Sequence, residues 1–172
     1  MSLPQRKRRE IVFQWLYSLM IQPVSDEEML PFLMKEIKVS KKNLIDTKET
    51  VSKILENKVD IDAHISSVSS SYTIDQIQWV DLVILRLGAF EIIYCSEIPD
   101  KVAIAEAIRL AKKFSHPQAI SFVNALLDQI RKRHVGEETD VAQVDLAWED
   151  LENADQEGES QNEDSQPRPE EA

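Results

Sequence analysis

Basic side chains are the residues of this sequence whose types and spacing most directly suggest chemistry, and that chemistry is phosphate binding. Four of them follow one another near the amino terminus, from Arg6 to Arg9, and further clusters lie at Lys112–Lys113 and Arg131–Arg133. Clustered Lys and Arg side chains neutralise the phosphates of nucleic acids. The pattern predicts an RNA-binding surface, with a solvated chain terminus as the alternative interpretation of the first cluster.

Phe122 is the aromatic candidate for such a surface. It falls outside the apolar stripe that Ile120, Val123 and Leu127 form on a predicted helix, and an exposed aromatic ring can stack on an unpaired base. A residue that flanks the core would occupy the same position relative to the stripe. Both interpretations of Phe122 stay open on the sequence alone.

Residue patterns of enzymes and metal sites are missing from the sequence. The three histidines, His64, His116 and His134, lie far apart and have no Cys or carboxylate neighbours at ligand spacing. With 3 Gly in the chain, neither a glycine-rich phosphate loop nor a nucleophile elbow is present. We therefore expect no enzyme, no metal site and no cofactor. The single cysteine, Cys95, lies in an apolar run and is interpreted as a small buried hydrophobe.

Charge divides the 172-residue chain into two parts. Residues 1–134 carry 19 basic and 17 acidic side chains, whereas residues 135–172 carry 14 acidic side chains and one basic one. We predict one helical RNA-binding domain over 1–134 and an acidic, disordered tail over 135–172, in which residues 141–151 form at most a turn or two of amphipathic helix. The apolar residues near the amino terminus are too interrupted for a membrane span, so we expect a cytoplasmic protein without membrane contact.

Apolar periodicity predicts an all-α fold of about seven helices in a single globular domain. The expected helix starts are Pro4, Asp26, Leu44, Asp60, Val80 and Ser115, which we interpret as an N-cap, and the apolar stripe from Val102 to Phe114 predicts one further helix. A capping box is also predicted for Thr73 and Gln76. The segment 80–94 is apolar on nearly every face and is expected at the centre of the domain. Arg86 and Glu91 within it need buried partners, either each other or Glu106, because an unpaired buried charge costs several kcal/mol.

The stretch from Ile98 to Ile130 resembles the closing half of the NusB family, small helical RNA-binding factors of bacterial transcription antitermination. The matching steps are Ile98-Pro99, the run from Lys101 to Ile104, and Phe122-Val123-Asn124. Near the amino terminus, Arg6–Glu10 and Leu16-Tyr17 are similar to the family's arginine-rich start and its Ala-Leu-Tyr element. The resemblance covers about residues 4–133 and implies two packed helical subdomains.

This resemblance also implies partners and site residues. It implies binding of the boxA element of leader RNA together with NusE, a ribosomal protein, and entry of the pair into the RNA polymerase antitermination complex on ribosomal RNA operons. Matched position by position, it implies the RNA-binding residues Arg6, Lys7, Arg9, Lys113, Phe122 and Asn124. It further implies a NusE-facing surface at Tyr17 and Asp81.

The sequence departs from the family pattern between Ser115 and Ser121. Ser115 stands where family members usually have Gly, and the basic residue usual before Phe-Val-Asn is Ser121 here. The missing basic side chain removes a phosphate contact. The alternative function is therefore a helical protein-interaction module with weak or lost RNA binding. A fused RNA-modifying enzyme is disfavoured, since the chain has no glycine-rich cofactor motif and no second domain.

Overall fold

The regular structure is entirely helical within residues 3–163, the range that the computed structural model describes, with side chains described through residue 158. A short 3-10 turn spans Ile74–Gln76. The α-helices are α1 (Gln5–Ile21), α2 (Asp26–Ile37), α3 (Lys41–Glu56), α4 (Lys58–Ser67), α5 (Trp79–Tyr94), α6 (Asp100–Phe114), α7 (Pro117–Val135) and α8 (Val141–Glu163). The predicted all-α fold is confirmed. None of the described helices is long and apolar enough to cross a membrane.

Helix α5 lies at the centre of the molecule, as the apolar segment 80–94 predicts. Twelve of its 16 residues are buried, and it packs against α1, α4, α6 and α7. Gly88 permits the close approach of α7, because a Cβ at this position would lie 2.7 Å from Leu127 Cδ1. Helices α1 and α4 contact α5 and are connected through α3, which α2 also contacts, whereas α6 and α7 contact α5 and each other. This arrangement is the expected pair of helical subdomains.

The charged residues inside α5 have partners on other helices. Arg86 donates from Nε and Nη2 to the two carboxylate oxygens of Asp62, at 2.8 and 2.9 Å. Glu91 accepts a hydrogen bond from Arg9 Nε at 2.7 Å, and Arg9 Nη1 lies 3.9 Å from Glu106. The predicted need for buried partners is confirmed. The partner of Arg86 belongs to α4 and the partner of Glu91 belongs to α1. Glu106 lies near the second of these partners, Arg9.

Helix boundaries follow the predicted capping signals in one place and shift by a residue or two in others. The backbone N–H of Thr73 donates to Gln76 Oε1 at 2.8 Å, as the capping box requires. Asp60 lies in the first turn of α4 and does not precede it. The N-cap of α7 is His116, and Ser115 is instead the residue that ends α6.

Helix α8 contradicts the predicted disorder for part of the acidic tail. Val144, Ala147, Trp148 and Leu151 are buried, and α8 packs against α7. Their spacing of three and four residues puts all of them on one face of the helix. The acidic composition of residues 135–172 concealed this stripe, because its other faces are almost wholly polar. Residues 164–172 lie outside the described residues, so the prediction for them is not tested.

Candidate nucleic-acid interface

The α1–α6 charge cluster consists of Arg6, Glu10, Glu106, Arg109 and Lys113. Arg6 Nε lies 3.2 Å from Glu106 Oε1, and Lys113 Nζ lies 3.0 Å from Glu10 Oε2. Arg109 connects the two carboxylates, with nitrogen–oxygen distances of 2.8 Å to each. The cluster brings cations from the start of α1 and the end of α6 onto one surface, although more than 100 residues separate Arg6 from Lys113 in sequence.

The outer members of this cluster reach solvent. The side chain of Arg6 is 73% exposed and that of Lys113 is 53% exposed. Lys7 is also exposed, and none of the carboxylates in the described range pairs with it. Arg6 uses only Nε in its ion pair, so its other N–H groups are free to donate. The surface therefore presents Arg6 and Lys113 to an anionic ligand, and Lys7 is exposed next to Arg6 in the sequence of α1.

The carboxyls of the cluster are held in their ionised form. Partial burial acts to raise the pKa of Glu106, but the hydrogen bond and charge of Arg109, together with Arg9 and Arg6, outweigh it and hold that pKa below 4.5. Arg109 and Lys113 lower the pKa of Glu10 in the same way, against the effect of burial. A carboxyl whose pKa is lowered by folding stabilises the folded state at pH values above its unfolded-state pKa. This contribution is lost as the pH falls through the folded-state pKa. At neutral pH both carboxyls of the cluster are therefore ionised.

Arg9 lies inside the fold and not on the exposed basic surface, and its RNA-binding role stays a prediction. Its side chain is 8% exposed and is paired with the equally buried Glu91. The reason is helix geometry, since four consecutive residues point around all sides of α1 and one of them must face the core. Arg9 does so, one turn before the buried Phe13.

Phe122 is a core residue in this structure, with 0% of its surface exposed. Its ring meets Tyr72 edge-on, with 5.4 Å between the ring centroids, and lies 5.2 Å from the ring of Trp148 in α8. Phe122 takes the position of a flanking core residue in this structure, and its RNA-binding role stays a prediction. The sequence did not indicate that Trp148 covers Phe122, because Trp148 lies in the segment predicted to be disordered.

Asn124 is exposed on α7 and does not share a face with Phe122. Two residues along an α-helix correspond to a rotation of about 200° around its axis. The exposure of Asn124 and the burial of Phe122 follow from that rotation. The structure therefore leaves Asn124 available at the surface and separates it from the aromatic ring with which it was grouped.

Tyr17 and Asp81 approach the carboxyl end of α6 from two sides. The ring of Tyr17 stacks on Phe13 with 6.1 Å between centroids, and Phe13 stacks on Phe114 at 4.6 Å. Asp81 Oδ1 accepts a hydrogen bond from Ser115 Oγ at 2.5 Å. Tyr17 is half-buried, whereas Asp81 is only 1% exposed. The carboxylate of Asp81 is turned inward to Ser115, and its place on a NusE-facing surface stays a prediction.

The fold and the basic surface define a class of small all-helical proteins, in which two helical subdomains pack around a central apolar helix. The model of the NusB family matches residues 6–132 of this sequence. The chain belongs to the NusB family.

Curated relatives and solved structures agree with this assignment. The transcription antitermination protein NusB of Chlamydia pneumoniae is 37% identical over 75% of this chain and 81% of its own length. Its counterpart in Ruminiclostridium cellulolyticum is 32% identical over 82% of this chain and 97% of its own length. The T. maritima NusB structure superposes with a TM-score of 0.68 at 31% identity, covering 78% of this chain and 94% of that one.

A crystal structure of the antitermination factors NusB and NusE in complex with double-stranded RNA shares the fold, with a TM-score of 0.65 at 24% identity. It covers 75% of this chain and 96% of that one. The family match ends at residue 132, before α8 begins at Val141. Helix α8 therefore lies outside the part of the chain that the family model matches.

The different placement of Arg9 and Arg6 predicts different effects on stability. Arg9→Ala leaves Glu91 buried without its partner, and we expect a loss of about 3–5 kcal/mol in the free energy of unfolding. Arg6→Ala removes an exposed pair and should cost less than about 1 kcal/mol. Urea unfolding followed by circular dichroism measures both. Equal losses in the two variants would contradict the internal position of Arg9.

The burial of Asp81 predicts that its contribution to folding stability depends on pH. Burial raises its pKa above 3.8, although the hydrogen bond from Ser115 opposes this. Folding then disfavours the ionised form, so stability is lost as the pH rises from 3.8 through the folded pKa. Asp81→Asn keeps an acceptor for Ser115 and removes the charge. We expect a higher Tm than wild type at neutral pH, with the difference shrinking as the pH falls.

The matched control for this effect is Asp100→Asn, which removes an acidic side chain from the first turn of α6 without the burial of Asp81. Scanning calorimetry at a series of pH values should show no gain for the control. A Tm difference for Asp81→Asn that is independent of pH would show that charge burial is not its cause.

Proposed function

We propose that this chain is a transcription antitermination factor that binds boxA-type leader RNA together with the ribosomal protein NusE. In the cytoplasm, the pair joins the RNA polymerase antitermination complex and promotes processive transcription of ribosomal RNA operons. The observation that carries the proposal is membership of the NusB family over residues 6–132, in a chain whose curated relatives are transcription antitermination proteins.

Arg6, Lys7 and Lys113 are the proposed phosphate-binding residues. The exposure of all three side chains and the shared surface of Arg6 and Lys113 support this role. The α1–α6 charge cluster fixes Arg6 and Lys113 without using all their donors, so a phosphate meets cations that are already ordered. The exposed amide of Asn124 is the proposed polar contact from α7. Arg9 acts indirectly, because its buried pair fixes the start of α1.

NusE is proposed to dock beside Tyr17. In the half of α1 that carries Tyr17, Leu19 and Met20 line a groove of about 320 Å³ together with Val83 of α5, and Tyr17 itself lies outside that lining. Trp79 also lines this groove and is 52% exposed. A large aromatic at the edge of an apolar groove is typical of residues that dominate the energy of a protein interface.

The second candidate function is a helical protein-interaction module with weak or lost RNA binding. The observation that favours it is the internal position of Arg9 and Phe122, two of the residues that the family pattern assigns to RNA. If both stay buried in every state of the protein, the remaining cations provide electrostatic attraction without base stacking.

The exposed cations predict the salt dependence of RNA binding. Replacing Arg6 and Lys7 by Ala should weaken binding to a boxA RNA and reduce the slope of log affinity against log salt concentration by about 1.4, since each contact to a single strand contributes about 0.7. Filter binding at several salt concentrations measures both quantities. The control is Lys35→Ala with Lys42→Ala, which removes two exposed charges from α2 and α3 and should leave the slope within about 0.3 of wild type.

A scrambled RNA separates the two candidate functions. Binding of boxA RNA above the scrambled level, with NusE present, supports the antitermination factor. Equal binding of both RNAs, or an unchanged slope in the Arg6 and Lys7 variant, favours the protein-interaction module.

Trp79 predicts the position of the NusE surface. Trp79→Ala should weaken NusE binding by about tenfold or more, because the truncation removes a large apolar contact from the groove. Phe32→Ala is the control, since Phe32 is a similarly exposed aromatic (55%) on α2, outside the groove. Isothermal titration calorimetry with purified NusE compares them. Equal effects of the two substitutions would move the interface away from this groove.

A further inference from the structure

Helix α8 runs antiparallel to α7 and covers one side of it. Near its start, the backbone N–H of Asp140 donates to Gln129 Oε1 at 2.6 Å. Farther on, the ring of Trp148 lies over Phe122. Beyond Trp148, Asp155 accepts a hydrogen bond from Gln78 Nε2 at 3.3 Å. The helix therefore extends back along α7 toward the start of α5.

A second set of contacts ties α8 to the loop that follows α4. Asp145 Oδ1 accepts hydrogen bonds from the hydroxyls of Ser69 and Ser71, the latter at 2.9 Å. The ring of Trp148 also lies 5.3 Å from that of Tyr72. Tyr72, Phe122 and Trp148 thus form one aromatic group, and α8 supplies its outer member.

The contact between α7 and α8 is imperfect. Trp148 Nε1 and Gln129 Nε2 are buried and have no hydrogen-bond partner among the described residues. A buried donor without an acceptor is less stable than the same donor in water. Both donors gain water if α8 leaves α7. This cost weakens the docked state and makes α8 easier to detach than its apolar contacts alone would indicate.

Charge makes the docked helix incompatible with a polyanion on the same face. Residues 141–158 contain six acidic side chains and no basic one. Asp155 is close enough to Asp81 to contribute to the raised pKa of that carboxyl. RNA that approached this side of α7 would meet negative charge and would find Phe122 covered.

We propose that α8 is an intramolecular competitor of RNA. When docked, it covers Phe122 with Trp148; when released, it opens the rings of Phe122 and Tyr72 as a stacking platform for unpaired bases of single-stranded RNA. The inference rests on the proposed function and adds its regulation. Docking of α8 and binding of RNA exclude each other, so each weakens the other by the same factor.

The first experiment loosens α8 in the full chain without altering its apolar contacts. Asp145→Asn removes the charge that receives the two serine hydroxyls. Glu149→Gln is the matched control, because it removes the same charge from an exposed position of α8. The apparent affinity for RNA scales with the fraction of open molecules. We expect Asp145→Asn to bind boxA RNA about three- to tenfold more tightly than Glu149→Gln does.

Hydrogen exchange gives a readout that a purely structural role of α8 would not change. With saturating boxA RNA, the amides of residues 141–158 in the wild-type protein should exchange faster than in the free protein. Ser71→Ala provides a second variant, since it removes one donor to Asp145 from the other side of the contact. It should increase RNA affinity in the same direction as Asp145→Asn, even if the latter folds poorly.

The outcomes separate this inference from the proposed function. RNA binding with α8 amides as protected as in the free protein overturns the competitor role alone and leaves the antitermination factor in place. Equal affinities of Asp145→Asn, Ser71→Ala and Glu149→Gln overturn it as well. Absence of boxA binding in wild type and all variants, with NusE present, overturns the proposed function and the competitor role together.

Discussion

The buried ion pair between Arg9 and Glu91 is the interaction on which the arrangement of the surface depends. One guanidinium in α1 meets a carboxylate of α5 at 2.7 Å and lies 3.9 Å from Glu106 of α6. A buried cation tolerates little displacement, because it must keep its acceptors or lose several kcal/mol. The rotation of α1 about its axis is therefore fixed. Arg6, one turn earlier, then lies at the surface, so a buried arginine positions an exposed one.

Local signals were sufficient to predict most helices, and contacts distant in sequence were not. Helix α2 begins at Asp26, as its sequence predicts, and the central place of α5 follows from its continuous apolar sequence. The partner of Arg86 is Asp62, 24 residues away. That choice depends on how α4 crosses α5, which no spacing within either helix determines.

The same limit explains the candidate site. The run from Arg6 to Arg9 indicates a basic cluster, but residue type alone does not distinguish the buried arginine from the exposed basic residues. Ser115 departs from the family pattern, and its hydroxyl donates a hydrogen bond to Asp81. The apolar stripe of α8 was diluted by acidic residues, so composition predicted disorder where four apolar side chains provide a docking face.

The burial of Phe122 has a consequence for evolution. In a chain without α8, an aromatic residue at this position would be maintained by whatever ligand its ring contacts. Here Tyr72 and Trp148 pack on both of its sides, so loss of the ring would leave a cavity in the core. Selection for folding alone retains Phe122 in this protein. The carboxyl-terminal helix thus gives Phe122 a reason to persist that depends on no ligand.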